Sequence, residues 1–259
     1  MNKINRLFAE RGERKLLSLY FCAGCPTLEG TADAIRTMER RGIDMIEVGI
    51  PFSDPLADGP VIQSAGTVAL RNGMTLAGLF DQLRSVKDDV GIPLVLMGYL
   101  NVIMHYGIER FCRSCVDCGV SGAIIPDLPF RDYLDYVKPI ADRYDLRLIM
   151  MITPETSEER IRFIDEHTDG FIYMVSSASI TGAQSSFDDA KQRYFRHING
   201  MNLRNPRMIG FGISNRQTLE SAQDNAAGAI IGSKFVSLLN EAGGDADKAL
   251  DNLFLALGE

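Results

Sequence analysis

The stretch EVGIPFSDPLADGP, residues 47–60, holds three carboxylates, Glu47, Asp54 and Asp58, on what reads as a strand end and the loop beyond it. Glu47 sits inside an apolar run, where a carboxylate is costly unless it is solvated, partnered or used. Two prolines and Gly59 fix the course of the loop beyond it. Asp54, placed before Pro55, reads most simply as a turn residue. For Asp58 a turn role and a chemical role both stand open. Two acids held at one loop suit proton transfer, because one can give a proton while the other stays charged and stabilises a developing cation.

A second set of residues is rich in glycine. Thr181-Gly182, the run Gly210-Phe211-Gly212-Ile213-Ser214 and the pair Gly232-Ser233 each follow an apolar run. Singly they mean only turns. Together they fit a rim of backbone N–H groups around a phosphate, with a helix N-terminus adding partial positive charge. The chain has 27 Lys and Arg against 34 Asp and Glu, a net charge of −7. The expected anion site therefore rests on backbone amides rather than a cluster of basic side chains. The same balance argues against a nucleic-acid partner.

Other reactive residues read as structural. Cys112, Cys115 and Cys118 form a CxxCxxC run. The spacing puts all three broadly on one side of a helix over residues 108–118, where cysteine packs as a small hydrophobe. Cys22 and Cys25 follow a strand without a redox-type helix after them. His105, His167 and His197 show no ligand spacing, and no metal site is expected.

These residues need a frame. Eight short apolar runs read as strands: 16–22, 45–48, 94–97, 122–125, 146–151, 171–175, 207–211 and 227–231. Their continuous hydrophobicity suits strands of a parallel sheet covered on both faces. Helical patterns over 31–41, 76–90, 132–144, 157–166 and 216–224 alternate with them, with Ser157 and Ser214 as candidate caps. The expectation is α/β: a (β/α)8 barrel of the TIM type, occupying residues 1–259 as one domain. Residues 2–11 read as an extra N-terminal helix, plugging the barrel from below. The intervals after the second and sixth strands are stretched, which predicts long loops on the catalytic face. With no apolar run of membrane-spanning length and no leader-like N-terminus, a cytoplasmic protein without a membrane partner is expected.

The combination of PFSDPLADGP, Thr-Gly, GFGIS and GS, in that order along nearly the whole chain, resembles the tryptophan synthase alpha subunit family. The resemblance implies a carbon–carbon lyase that cleaves indole-3-glycerol phosphate to indole and glyceraldehyde 3-phosphate. It implies that Glu47 and Asp58 are catalytic. It implies an indole pocket of Tyr20, Tyr99, Ile124, Met151, Tyr173 and Phe211, and phosphate contacts from Thr181, Gly182, Gly212, Gly232 and Ser233. It implies no cofactor in this chain. Its partner is a beta subunit that carries pyridoxal phosphate and receives indole in a two-alpha, two-beta heterotetramer, with Asn101 and residues 51–52 near the interface. Two stretches depart from the common pattern: CAGCPT after the first strand and SSASITG after the sixth. Two other readings of the same residues are a phosphosugar isomerase with a similar rim and a scaffold subunit without turnover.

Overall fold

The computed structural model describes residues 1–176 and 187–258. Eight parallel strands close on one another in chain order: β1 Leu16–Cys22, β2 Met45–Gly49, β3 Leu94–Met97, β4 Val120–Ile124, β5 Arg147–Ile152, β6 Ile172–Val175, β7 Arg207–Gly210 and β8 Gly228–Ile231. The last strand returns to the first, with Leu16 opposite Gly228 and Leu19 opposite Ile231. The (β/α)8 expectation holds. Every residue of β2, β3, β4, β6 and β8 is buried, as two-sided coverage requires.

The ends of the elements shift by a residue or two from the sequence reading. β4 begins earlier, at Val120, where its register with β3 slips between Leu94 and Val95. Phe211 leaves β7, because its φ of 70° is left-handed and cannot continue a strand. The helix expected over 76–90 stops at Arg84 and gives way to turns. The one expected over 132–144 is broken by a π segment, Tyr133–Val137. Ser157 caps its helix as expected, accepting from Arg160 N–H. Ser214 does not cap the helix Arg216–Asn225. Asn215 does, in a reciprocal capping box with Thr218.

The N-terminal helix Lys3–Glu10 closes the bottom of the barrel. Its Ile4 is fully buried, and Phe8 lies 5.6 Å from the ring of Phe171 at the foot of β6. Asn2 fixes it in place by donating to the carbonyls of Ser121 at 2.9 Å and Asp145 at 2.6 Å. The plug seals the floor, so access is from the C-terminal ends of the strands.

The long stretch after β2 is part loop and part helix. Residues 50–59 form the loop, and Pro60–Arg71 is a helix that starts with Pro60 in its first turn. Proline is suited to that position because it has no N–H to leave unpaired. No helix among the described residues is long and apolar enough to cross a membrane.

Candidate active site

Glu47 lies on β2 opposite Tyr20 on β1 and Val95 on β3. It is fully buried, and among the described residues neither carboxyl oxygen has a hydrogen-bond partner. Burial raises its pKa from 4.5 to about 8. The Ser18 hydroxyl on β1 is near enough to lower it a little, but that hydroxyl is itself unpartnered by hydrogen-bond geometry. One pKa unit corresponds to ~1.4 kcal/mol, so the folded chain bears several kcal/mol to keep an ionisable group here. A carboxyl shifted in this direction is able to give up a proton near neutrality.

Asp58 closes the loop over the strand ends. Its side chain is buried and its pKa is raised from 3.8 to about 6, first by desolvation, with the Tyr99 hydrogen bond opposing. Tyr99 Oη donates to Asp58 Oδ2 at 3.0 Å and accepts from Ala57 N–H at 2.9 Å. The Phe52 ring stacks on Tyr99 at 5.1 Å. The loop is thus pinned from β3, and its acid is held in one orientation.

Glu47 and Asp58 face one cavity, lined also by Tyr20, Tyr173, Phe211, Gly212, Gly232 and Ser233. Both tyrosines stay protonated, since burial, and then the nearby acids, push their pKa values well above 10. The rings lie where two glycines make room. A Cβ at Gly49 would sit 2.1 Å from Tyr20 Oη, and one at Gly210 would sit 2.2 Å from Tyr173 Oη.

The rim is built at the ends of β7 and β8. Phe211 and Gly212 both have positive φ, 70° and 79°. A non-glycine residue in that region is strained, and such strain persists where the surroundings impose it. Here Ser176 Oγ donates to Phe211 carbonyl at 2.6 Å and the Asn215–Thr218 box anchors the far side. After β8, the helix Ser233–Glu241 begins at the cavity wall. Its hydrogen-bond ladder begins with Val236 N–H donating to Gly232 carbonyl. The N–H groups of Ser233, Lys234 and Phe235 are therefore left over for a ligand.

Not every residue expected in the pocket lines it. Tyr99 is hydrogen-bonded to Asp58 and is not among the lining residues. Ile124 is fully buried within β4, and Met151 on β5 is half-buried outside the cavity lining. Thr181 and Gly182 lie outside the described residues. Asn101 is exposed, whereas Pro51 is buried and Phe52 half-buried. Sequence reasoning missed Gly59, Ile62, Met97, Ile213 and Lys234 as lining residues. Ile62 was hidden because its helix was read as loop. Met97, the last residue of β3, was legible from its position. The CAGCPT stretch is absent from the lining, and Asn72 holds it from outside by donating to Gly24 and Pro26 carbonyls. Cys112, Cys115 and Cys118 are all buried against the barrel, in keeping with a packing role.

A closed eightfold barrel with two buried acids and a glycine-lined rim around one cavity defines the class: a (β/α)8-barrel enzyme. The particular family follows from comparison. Residues 8–258 match the family described as tryptophan synthase alpha chain, and the chain belongs to that family. It is 66% identical to the tryptophan synthase alpha chain of Phocaeicola vulgatus, over 99% of both chains. It is 62% identical to that of Bacteroides thetaiotaomicron, over 99% of this chain and 100% of the other. Among solved structures, the alpha chain from Legionella pneumophila superposes with a TM-score of 0.88 at 30% identity, covering 99% of this chain and 96% of that one.

Proposed function

We propose that Glu47 and Asp58 are the catalytic pair through which this chain, a carbon–carbon lyase of tryptophan biosynthesis, cleaves indole-3-glycerol phosphate to indole and glyceraldehyde 3-phosphate. The observation that carries the reading is the placement of both acids, each with a raised pKa, on one cavity whose other wall is the glycine rim. Glu47, protonated at neutral pH, delivers its proton to indole C3. The ring nitrogen then bears positive charge, and ionised Asp58 stabilises it through the N–H. The Glu47 carboxylate takes the proton of the side-chain hydroxyl. The bond between C3 and the side chain breaks, its electrons return to the indole, and an aldehyde leaves. Each proton transfer contributes on the order of 10²–10⁴-fold.

In this reading Tyr20, Tyr173 and Phe211 hold the indole, and Gly212, Gly232 and Ser233, with Thr181 and Gly182, hold the phosphate. The steps use only side chains of this chain. Pyridoxal phosphate belongs to a beta-subunit partner, which takes the indole in a two-alpha, two-beta assembly. Exposed Leu56, on the loop that carries Asp58, and exposed Met104, on the helix that carries Asn101, are apolar residues such a partner would cover. The cytoplasm is the expected compartment.

The test is release of indole from indole-3-glycerol phosphate, with and without a beta subunit. Glu47→Gln is expected to fold, to bind substrate and to lose at least ~10²-fold in cleavage. Asp58→Asn is expected to be severely impaired. Wild-type rates in either variant would remove that residue from the mechanism.

A further inference from the structure

Among the described residues, Lys234 is the only lysine or arginine that lines the catalytic cavity. It is the second residue of the helix Ser233–Glu241, beside Gly232 and Ser233. Lysine is disfavoured there, because the helix N-terminus already carries about half a positive charge and favours an anion in its first turn. No acidic residue in that turn compensates. Among the described residues Lys234 makes no ion pair or side-chain hydrogen bond, although the chain as a whole has more acids than bases. The site is thus a half-buried wall with three free N–H groups and, beside them, a lysine whose side chain is long enough to reach an anion seated there.

We propose that Lys234 is a substrate-binding residue that contacts the phosphate and makes the rim selective for charge as well as shape. This rests on the proposed function and deepens it. Backbone N–H groups alone recognise the oxygens of an anion. A mobile ammonium adds attraction that grows with the charge on the ligand, which is near −2 for a phosphate monoester at neutral pH. It also offsets the repulsion that a dianion meets from Asp58 and from the net negative surface.

Calorimetric binding of glycerol 3-phosphate and, separately, of indole to the full chain tests this. Lys234→Met is expected to weaken glycerol 3-phosphate by about tenfold, the scale of one charge-assisted hydrogen bond, and to change indole affinity by less than about twofold. Lys234→Arg restores most of the loss. Raised salt weakens the wild type more than Lys234→Met, since screening acts on the charge that the variant lacks. The proposal is overturned by Lys234→Met binding glycerol 3-phosphate as the wild type does. It is equally overturned by both ligands weakening together, or by Lys234→Arg remaining as weak as methionine. A wild type that fails to bind glycerol 3-phosphate at all sinks the proposed function itself, a result visible before any variant is made.

Discussion

Tyr99 Oη donates to Asp58 Oδ2 at 3.0 Å, so a residue on the β3 side of the barrel sets both the direction and the acidity of a carboxylate on the β2 loop. The bond favours the ionised form and lowers a pKa that burial raises to about 6. Removing it in Tyr99→Phe lets the pKa climb, so the ionised fraction at neutral pH falls. The rising acidic limb of kcat/KM is expected to move to higher pH, with a loss of about tenfold at pH 7. Because wild type and variant share a substrate, the phosphate's own ionisation cancels in the comparison. An unmoved limb would show that Asp58 ionisation does not govern the rate.

The two acids are displaced unequally, and this sets a pH window. Asp58 must be charged, which needs a pH above about 6. Glu47 must start protonated, which needs a pH below about 8. The kcat/KM profile is expected to be bell-shaped between those values, falling on the alkaline side as Glu47 loses its proton before substrate binds. A profile that stays level from pH 7 to 9, measured by indole release, contradicts Glu47 as the initial acid.

The same burial makes Glu47 a burden on the fold. Its pKa is raised in the folded chain, so the folded state binds more protons than the unfolded state between about 4.5 and 8. Stability from this group is therefore lost as pH rises from the unfolded value through the folded one. Glu47→Gln cannot ionise and escapes the loss. Its Tm relative to wild type is expected to be higher at pH 8 than at pH 5, the pattern of a site kept for function at a cost in stability. A Tm difference that does not change with pH would mean that Glu47 is solvated or partnered in solution.

Much of this was open to sequence reasoning, for identifiable reasons. The strands were legible because double coverage leaves unbroken apolar runs such as those at residues 94–97. Glu47 was legible because it violates that rule within β2. The departure of Phe211 from β7 is not legible, since nothing in the residue type marks a left-handed φ. Tyr99, expected in the indole pocket, donates to Asp58 and is not among the residues lining the cavity. An aromatic at a strand end looks the same whether it meets a ligand or a carboxylate. Lys234 carries no signal in the sequence, because a lysine at a helix start looks the same whether or not a cavity lies beside it.

Gly210 at the end of β7 is a steric choice with a functional consequence. A Cβ there would lie 2.2 Å from Tyr173 Oη and 2.5 Å from Cζ, so the ring must swing away from its place on the cavity wall. Gly210→Ala is expected to fold, with an overpacking cost of about 1–3 kcal/mol. It should raise KM for indole-3-glycerol phosphate by about tenfold, as a displaced aromatic wall loses contact with the ligand. Tyr173→Ala removes the ring outright and should weaken binding as well. In the double variant the three atoms nearest the methyl are gone, so adding Gly210→Ala to Tyr173→Ala is expected to cost much less further affinity and stability than it does in the wild type. Two residues in contact couple in this way, whereas independent sites add. A double-mutant cycle in Tm and KM with fully additive effects would mean that Gly210 does not make room for Tyr173.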